Sequence, residues 1–460
     1  MNSRLKERIR PPLPEGPVLV VGLGRSGQAV ARMLAERGLE VRGCDSGSPK
    51  GAESLFSAGV EVELESESVD LLEGVSTVVK SPGVPSDTSL LTAADAKGIE
   101  TLGELEVAWR ALDNRFCAVT GTNGKSTVTQ MIAWIFDRAG VPAEAAGNLG
   151  TPLASLVGKL SPETTVVCEC SSYQLEDADS FSPEIAVLLN LAPDHLDRHK
   201  TMSAYLDAKL RIFSRQVSGD FAVINGSDEA FSGIDVPGGG SEIRFCSGGR
   251  ALRGPCDALV ADGSISWRGE EVVQLSDLSL SGEHNFENAA AAVAASICSG
   301  IEPAAVAEGL ASFEGIPHRL ELVASHDGVT FVNDSKATNV AAAVAGIESA
   351  EGEVRVILGG SLKDESFEPL LEVVRERCRG CYISGQAAGA IEEALAPARD
   401  SGVEVKVLGS FEAAVEAAAD DAVAGETVLL SPACASFDEF EDFERRGDAF
   451  RELVERRVSR

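Results

Sequence analysis

The chain has 460 residues, a length that predicts two or three domains rather than one. The formal net charge is −32, from 72 acidic against 40 basic residues, and this charge disfavours nucleic acids and anionic membranes as partners. Hydrophobic residues make up 44% of the chain, and the absence of a run of about 18 apolar residues predicts no membrane insertion. The N-terminal 17 residues are charged and proline-rich, which predicts no signal peptide and a cytoplasmic protein.

Apolar, strand-like runs alternate with helical patterns through most of the chain, which predicts an α/β fold with parallel sheets built from βαβ units. We predict three domains, over residues 1–102, 103–315 and 316–460. The first domain opens with a strand at Val18–Val21, a glycine turn and a helix that ends near Arg37. A second strand, Leu39–Cys44, follows.

The predicted second domain begins with the strand Phe116–Thr120 and continues through strands at Thr165–Cys168 and Ile185–Leu189. Short strands and turn clusters between residues 221 and 275 predict a small antiparallel insert. An alanine-rich helix, Asn285–Cys298, closes this domain. The third domain has predicted strands at Val329–Val332, Val354–Leu358, Cys381–Ile383 and Thr427–Leu430.

Ten cysteines are scattered along the chain, and Cys378 and Cys381 form a CxxC pair. This pair would allow a metal or redox site, but it is not accompanied by a second CxxC or a histidine pair. We therefore expect reduced, mostly buried thiols.

The segment Gly121–Thr127, GTNGKST, lies between a predicted strand and a predicted helix. Its glycines let backbone N–H groups surround a phosphate at the helix N-terminus. Lys125 can reach the outer phosphates, and the hydroxyl of Ser126 or Thr127 can bind Mg²⁺. Val119 stands where the common P-loop has its first glycine, so this is the shorter GxxGK[ST] form. A glycine turn with a surface lysine is the alternative interpretation.

A second glycine motif, Gly22–Gly27, follows the first strand, and Asp45 ends the second strand 18 residues further on. This is the dinucleotide fingerprint in outline. It predicts the fold better than the ligand, since NAD, the diphosphate or base of another nucleotide, or a purely structural turn all remain open.

Polar residues follow several other predicted strands. Glu169 ends one strand, where P-loop enzymes place an acid that binds metal or orients water. The segment 190–199 contains Asp194, His195, Asp197, Arg198 and His199 directly after the next strand, which favours a site at the carboxyl edge of the sheet. Lys209 carries a charge that repels Mg²⁺, and a lysine taken by itself is predicted to lie on the surface.

Weaker signals come from three further segments. Asn288 lies near the start of the alanine-rich helix, Arg319 offers a planar fork suited to phosphate, and Asp334 follows a strand. Ser436 follows the last strand, where it would either cap the next helix or help exposed N–H groups to bind a carboxylate.

In this order, the segments GTNGKST, ECSSYQLE, NLAPDHLDRH, AKLR, HNFEN, PHR, NDSKATN, LGGSLK and LSPACASFDEF resemble the Mur ligase family over essentially the whole chain. The last two resemble the members that add D-glutamate. The resemblance implies an N-terminal Rossmann-like domain that binds a UDP substrate and a central P-loop ATPase domain with a mainly parallel sheet. It also implies a C-terminal Rossmann-like domain that binds the amino acid.

The resemblance also implies the reaction and its participants. An ATP-dependent ligase of this type, acting as a monomer, joins D-glutamate to UDP-N-acetylmuramoyl-L-alanine through an acyl phosphate, in peptidoglycan precursor synthesis. Two Mg²⁺ sites are implied. Lys209 matches the family's carbamylated lysine, which forms when CO₂ adds to a neutral amine. We therefore expect the pKa of Lys209 to lie well below its ordinary value of about 10.4.

The site residues are carried over by position in the matching segments. The implied catalytic residues are Lys125, Glu169, His195 and Lys209. The implied metal ligands are Ser126, Glu169, His195 and Lys209 as its carbamate. The implied ATP site contains Gly121, Thr122, Asn123, Gly124, Lys125, Ser126, Thr127, Asn288, Arg319 and Asp334. The implied UDP-substrate site contains Arg25, Ser26, Asp45, Ser46, Gly83, Asn148 and Ser171. The implied D-glutamate site contains Lys336, Thr338, Lys363, Ser436 and Phe437.

Three other functions compete with this interpretation. A nicotinamide-dependent oxidoreductase would use Gly22–Gly27 but leaves GTNGKST unexplained. A folylpolyglutamate synthetase would share the ATPase segments but use another acceptor. A nucleotide-binding protein without catalysis is disfavoured by the presence of Glu169, His195 and Lys209.

Overall fold

The structure is a computed structural model that describes residues 10–148, 150–194, 196–248, 251–252, 254–280, 282–362 and 366–459. The predicted site residues His195 and Lys363 lie outside the described residues. The chain divides into two compact units, Met1–Phe313 and Glu314–Arg460. Across the described ranges, every helix is too short or too polar to cross a membrane.

The first part of unit 1 is a parallel sheet with helices. Its elements, in chain order, are β1 (Val18–Val21), α1 (Arg25–Glu36), β2 (Val41–Asp45), β3 (Glu61–Leu64), β4 (Thr77–Lys80), α2 (Ser89–Ala96), β5 (Glu100–Gly103) and α3 (Glu104–Ala111). The strand order is β3-β2-β1-β4-β5, with every pair parallel. The order reverses between β1 and β4, and such a switch point leaves a crevice at the carboxyl ends of the strands.

The sequence of this sheet explains why β1 lies at its centre. All residues of Val18–Val21 are buried, as expected of a strand covered on both faces. Gly27 lets α1 begin close to the turn after β1, because a Cβ atom at this position would collide with the carbonyl oxygen of Gly22. The predicted dinucleotide-type fold of this region is confirmed, and Gly27 is the glycine of the motif that close backbone approach requires.

The second part of unit 1 contains the P-loop segment. Its elements are β6 (Arg115–Thr120), α4 (Lys125–Arg138), β7 (Ala143–Gly147), β8 (Thr165–Glu169), α5 (Ser172–Glu176), β9 (Ile185–Leu188), α6 (Leu196–His199), α7 (Met202–Leu210), β10 (Phe221–Asn225), β11 (Ser241–Ser247), β12 (Ala258–Ala261), β13 (Ser264–Trp267), β14 (Glu270–Gln274), α8 (Glu283–Cys298) and α9 (Pro303–Ala311). The nine strands are ordered β14-β13-β12-β11-β10-β9-β6-β8-β7.

The prediction of an antiparallel insert over residues 221–275 is wrong for its first half. β10 pairs parallel with β9, β11 with β10, and β12 with β11. Among the described strands of this sheet, antiparallel pairing is confined to β13 and its two neighbours. Strand β10 is buried along most of its length, which is typical of a parallel strand. The turn cluster at residues 237–240 leads into the next parallel strand rather than closing a hairpin.

The expectation that the cysteines stay reduced is wrong for one pair. The structure joins Cys246 of β11 to Cys256 in a disulfide, with the Cα atoms 6.0 Å apart. Cys378 and Cys381 are free and buried. Within the described ranges, the cysteines, histidines and carboxylates form no cluster that could hold a metal ion.

Unit 2 is a doubly wound α/β unit. Its elements are β15 (Glu321–His326), β16 (Val329–Asn333), α10 (Val340–Ser349), β17 (Glu353–Gly359), α11 (Leu370–Arg377), β18 (Cys378–Ser384), α12 (Ala388–Leu395), β19 (Glu404–Val407), α13 (Phe411–Asp421), β20 (Glu426–Leu430) and α14 (Phe443–Val458). The order is β15-β16-β20-β17-β18-β19, and β15 is antiparallel to β16. Helices α10, α11 and α12 contribute to one apolar cluster, and α13 and α14 to another. Sequence patterning missed β15 because this edge strand is mostly half-buried or exposed.

Candidate active site

Three neighbouring strands, β8, β6 and β9, bring the predicted nucleotide residues to one sheet edge. β6 leads into the loop 121–124, β8 ends in Glu169, and Asn190 lies shortly after β9. The Asn190 side-chain oxygen accepts hydrogen bonds from the N–H groups of Thr122 (3.1 Å) and Asn123 (2.8 Å). Asn190 therefore holds the loop in shape, a role that sequence analysis missed although the residue begins the segment 190–199.

The loop ends at Gly124, which caps α4 in a left-handed conformation (φ 79°). A side chain there would collide with the amide of Asn288. Asn288, which is predicted to belong to the ATP site, therefore lies directly against the loop. The Lys125 ammonium donates to the carbonyl oxygens of Gly121 (3.0 Å) and Thr122 (2.7 Å). The loop, its lysine and Asn288 thus lie together in one compact cradle.

Glu169 is only 2% exposed and contacts two predicted site residues. The Ser126 hydroxyl donates to one carboxylate oxygen (2.7 Å), and the Asn148 amide donates to the other (2.8 Å). A hydroxyl and a carboxylate at this spacing are the oxygen donors that Mg²⁺ prefers. Ser126 and Glu169 are two of the predicted metal ligands, and their arrangement therefore fits a magnesium ion.

Lys209 is a buried lysine beside the P-loop, with 1% of its surface exposed. Its ammonium nitrogen donates to the Gly121 carbonyl oxygen (2.6 Å) and lies 4.3 Å from the centre of the Tyr205 ring. Burial, helped by the charge of Lys125 and opposed by Asp194, lowers the pKa of Lys209 to about 6. This shift favours the neutral amine, the form that reacts with CO₂.

A cleft of about 530 Å³ opens at the switch point of the first sheet. Six predicted residues line it: Arg25, Ser26, Asp45, Ser46, Gly83 and Asn148. Sequence analysis missed Glu67 and Gln174, which also line it. Asn148 lines this cleft and also donates a hydrogen bond to Glu169. The cleft therefore reaches the sheet edge that carries the P-loop.

Two predicted cleft residues make local structural contacts. The Asp45 carboxylate accepts from the N–H groups of Leu23 (2.6 Å) and Gly47 (2.8 Å), so it shapes both loops of the crevice. The Ser171 hydroxyl caps α5 in a reciprocal capping box with Gln174. Gln174 rather than Ser171 faces the cleft, and the S-x-x-Q spacing is the signal that could have pointed to it.

In unit 2, the predicted ATP residue Asp334 lies just after β16 and is 6% exposed. It accepts from the Ser431 hydroxyl (2.9 Å) and the Leu320 N–H (3.3 Å). Burial raises the pKa of Asp334 to about 7, against the smaller opposing effects of Ser431, Arg319 and Lys336. The structure therefore groups these side chains at the carboxyl ends of β16 and β20.

The predicted D-glutamate residues Lys336 and Thr338 follow Asp334 in the same loop and are partly buried. Ser436 is 2% exposed, whereas Phe437 is 73% exposed. The alternative in which Ser436 caps the last helix is wrong, since α14 begins at Phe443 and Asp442 caps it.

Sequence analysis also missed Arg446, a buried residue of α14. Its guanidinium donates to the carbonyl oxygens of Ser335 (2.9 Å) and Cys434 (3.0 Å). It thereby joins the loops after β16 and β20, which carry the residues predicted to bind D-glutamate. The signal was its position four residues before Phe450, on the apolar face of the helix.

The fold and this site define an α/β enzyme with a P-loop for a nucleoside triphosphate and a separate crevice for a second ligand. Three family models match the chain: "Mur ligase MurD-like, N-terminal domain" over residues 16–103, "Mur ligase middle domain" over 119–296, and "Mur ligase, glutamate ligase domain" over 318–434. These matches agree with the predicted order of three domains.

Curated relatives support the same family, and solved structures share the fold. A UDP-N-acetylmuramoylalanine--D-glutamate ligase of Pelotomaculum thermopropionicum is 43% identical over 95% of this chain and 97% of its own length. One of Acidobacterium capsulatum is 39% identical over 95% of each chain. The UDP-N-acetylmuramate-alanine ligase MurC of Thermotoga maritima is similar in fold, with a TM-score of 0.58, 18% identity, and coverage of 96% of this chain and 99% of that one. The MurF ligase of Thermotoga maritima in complex with ADP gives a TM-score of 0.56 at 16% identity, over 97% and 96% of the two chains.

The chain belongs to the Mur ligase family, and it is of the MurD type. The predicted family and three-domain α/β architecture are confirmed.

Proposed function

We propose that this protein is the ATP-dependent ligase that adds D-glutamate to UDP-N-acetylmuramoyl-L-alanine in peptidoglycan precursor synthesis. Curated relatives of this name cover nearly the whole chain. The observation that carries the proposal is the convergence of the P-loop, Glu169 and Lys209 at one edge, with Asn148 connecting this edge to the cleft. We further propose a cytoplasmic monomer whose domains are residues 1–102, 103–315 and 316–460.

The P-loop segment Gly121–Thr127 is proposed to surround the phosphates of ATP. The N-terminus of α4 supplies N–H groups and a partial positive charge, and Lys125 adds a full charge at the same place. Asn288 is proposed to contact the adenine, which its position against Gly124 supports. The roles of Arg319 and Asp334 toward phosphate and ribose stay predictions.

The proposed magnesium ligands are Ser126, Glu169, His195 and Lys209 as a carbamate, in two sites. Bound Mg²⁺ would offset the negative charge of the triphosphate and of the attacking carboxylate. The contact between Ser126 and Glu169 supports the first site. For the second, the amine nitrogen of Lys209 adds to CO₂ and releases a proton, which turns a repelling group into an anionic oxygen ligand. The lowered pKa of Lys209 supports this step.

The reaction has two chemical steps. The carboxylate of the substrate's terminal L-alanine attacks the γ-phosphorus of ATP, and an acyl phosphate and ADP form. The amine of D-glutamate then attacks the acyl carbon, loses a proton and expels inorganic phosphate, which leaves an amide. Lys125 and the loop N–H groups stabilise charge that develops on the transferred phosphoryl group. Asn148 keeps the Glu169 carboxylate oriented beside the cleft.

D-Glutamate is proposed to bind at the carboxyl edge of unit 2. Lys336, Thr338, Ser436 and Phe437 would surround it, with Lys363 pairing with its side-chain carboxylate. The buried Ser436 and the loops joined by Arg446 support a formed site.

A product assay tests the proposal. The protein is incubated with UDP-N-acetylmuramoyl-L-alanine, ATP, Mg²⁺ and one amino acid at a time, and products are identified by mass alongside phosphate release. We expect a dipeptidyl product with D-glutamate, and none with L-glutamate or with a folate acceptor. Phosphate release without an amide product, or product only with another acceptor, would contradict the proposal.

A further inference from the structure

One motif singled out by the sequence, Arg198 and His199, has no role in the function proposed above. Both lie in the short helix α6, at the end of the segment 190–199. Arg198 is 15% exposed and His199 is 1% exposed, measured on their side chains. Their contacts run in two directions, toward the cleft and toward the P-loop.

Arg198 contacts the wall of the cleft directly. One guanidinium nitrogen donates to the carbonyl oxygen of Pro82 (2.9 Å), a residue that lines the cleft. Another donates to the Glu176 carboxylate (3.1 Å), and the guanidinium lies 4.1 Å from the centre of the Tyr173 ring. A planar guanidinium can donate from two nitrogens and also stack on an aromatic ring, whereas lysine offers only a point charge on a flexible side chain. This combination of contacts is therefore specific to arginine.

The same carboxylate continues the connection toward the P-loop. The second oxygen of Glu176 lies 3.0 Å from His199 Nδ1, and the His199 ring lies 4.9 Å from the Tyr205 ring. The Tyr205 hydroxyl lies 3.4 Å from the Thr122 hydroxyl in the P-loop. Tyr205 is also the ring beneath the Lys209 ammonium.

We infer that Arg198 is a positioning residue that couples occupancy of the UDP-substrate cleft to nucleotide binding at the P-loop. A ligand that orders the Pro82 loop fixes Arg198 and Glu176, and through His199 and Tyr205 it fixes Thr122 and the surroundings of Lys209. The inference rests on the proposed function. Coupling of this kind is reciprocal, so ATP also strengthens binding of the UDP substrate by the same factor.

The chain offers a matched control in Arg110. This arginine also pairs with a carboxylate, Glu106 (2.8 Å), and also donates to a proline carbonyl, that of Pro12 (3.3 Å). Its side chain is equally sheltered, at 9% exposed, but its contacts lie on α3 and the N-terminal segment. A loss of coupling that came from general loosening of unit 1 would therefore also occur in Arg110→Lys.

The test measures the dissociation constant of a non-hydrolysable ATP analogue with Mg²⁺, with and without saturating UDP-N-acetylmuramoyl-L-alanine. Irreversibly unfolded protein changes the number of binding sites but neither constant, so the ratio reports on the folded molecules. We expect a ratio of about tenfold in the unchanged protein and within about twofold of unity in Arg198→Lys. The affinity for the analogue alone should stay within about threefold, because the P-loop residues are unchanged.

Glu176→Gln provides a second variant if Arg198→Lys does not fold. It keeps the shape of the side chain and removes the charge that Arg198 and His199 share, so the ratio should again fall toward unity. Arg110→Lys should keep the full ratio. No coupling in the unchanged protein, coupling retained in Arg198→Lys and Glu176→Gln, or equal loss in Arg110→Lys would each overturn the inference. Amide formation by the unchanged protein, assayed separately, decides whether the proposed function itself fails.

Discussion

Two lysines of unit 1, Lys209 and Lys80, are buried to the same extent, each with 1% of its surface exposed, yet their surroundings differ. Lys80 ends β4 and forms an ion pair with Asp177 (2.7 Å) and a hydrogen bond with Ser86 (2.7 Å). Lys209 donates instead to a backbone carbonyl oxygen, with the cation of Lys125 nearby. Burial alone therefore does not decide what a lysine does.

The two lysines differ in whether a neighbouring carboxylate compensates the charge of the buried ammonium group. A buried ammonium beside a carboxylate forms an ion pair that joins two segments, here the end of β4 and the residue after α5. A buried ammonium near a second cation has its charged form disfavoured, even where it donates to a carbonyl oxygen, and it becomes a reactive amine. The first arrangement contributes to structure and the second to chemistry, and substitutions at the two sites should separate these effects.

The largest effect is expected for Lys209→Ala. The variant lacks the proposed carbamate, and we expect activity to fall by at least about 10³-fold, because charge at the transferred phosphoryl group is no longer compensated. The measurement is phosphate release and amide product at saturating substrates, with the thermal unfolding midpoint as a check on folding.

Short carboxylates such as acetate should partly restore Lys209→Ala, since the shortened side chain leaves room for an anionic oxygen donor. Lys209→Met is the matched control, because it fills this space and should not be restored. Full activity of Lys209→Ala without any additive would contradict the carbamate.

The second effect is a loss of stability in Lys80→Met. Removal of the cation leaves the partly buried Asp177 carboxylate without its partner, and we expect about 3 kcal/mol of destabilisation by urea unfolding of unit 1. Activity per folded molecule should stay within about threefold. Adding Asp177→Asn should recover part of the loss, because the remaining pair is neutral. A stability equal to that of the unchanged protein would show that the pair is not a structural element.

The next effect concerns a carboxyl group in the same region. Glu104 begins α3, directly after Gly103, whose N–H donates to the Asp177 carbonyl oxygen (3.2 Å). Burial raises the pKa of Glu104 to about 7, and a hydrogen bond with Gln174 opposes this only in part. Within the described chain, one of its carboxylate oxygens has no hydrogen-bond partner.

The sign of the resulting pH dependence follows from proton binding. Between the unfolded pKa of about 4.3 and the folded pKa near 7, the folded state holds the proton more tightly, so the free energy of unfolding falls as pH rises. Glu104→Gln should remove this fall and should be more stable than the unchanged protein at pH 8, by about 2 kcal/mol. Urea unfolding at pH 5 and pH 8 measures both effects, and parallel pH dependences of the two proteins would contradict the assignment.

Sequence reasoning predicted the parts of the molecule whose chemistry is local. Gly121–Thr127 carries its own turn, donors and charge, and the strand ends at Glu169 and Asp45 follow from apolar runs. It failed where the role depends on distant partners. The direction of β10 is set by pairing with β9, and the facing of Gln174 rather than Ser171 by the cap of α5. The lowered pKa of Lys209 was expected only through the family resemblance, since the segment AKLR by itself predicts a surface residue.

The smallest effect is expected at a third lysine, Lys406 in β19, which tests whether burial or contact geometry makes Lys80 important. Its ion pair with Asp421 is as short (2.6 Å) as that of Lys80, but the two side chains are 34% and 31% exposed. Asp421 also accepts from the Tyr382 hydroxyl (2.7 Å), and water can reach the carboxylate when the lysine is removed. We therefore expect Lys406→Met to cost less than about 1 kcal/mol, measured as urea unfolding of unit 2. A loss as large as that of Lys80→Met would mean that the contact distance, rather than the absence of water, determines the contribution of these pairs.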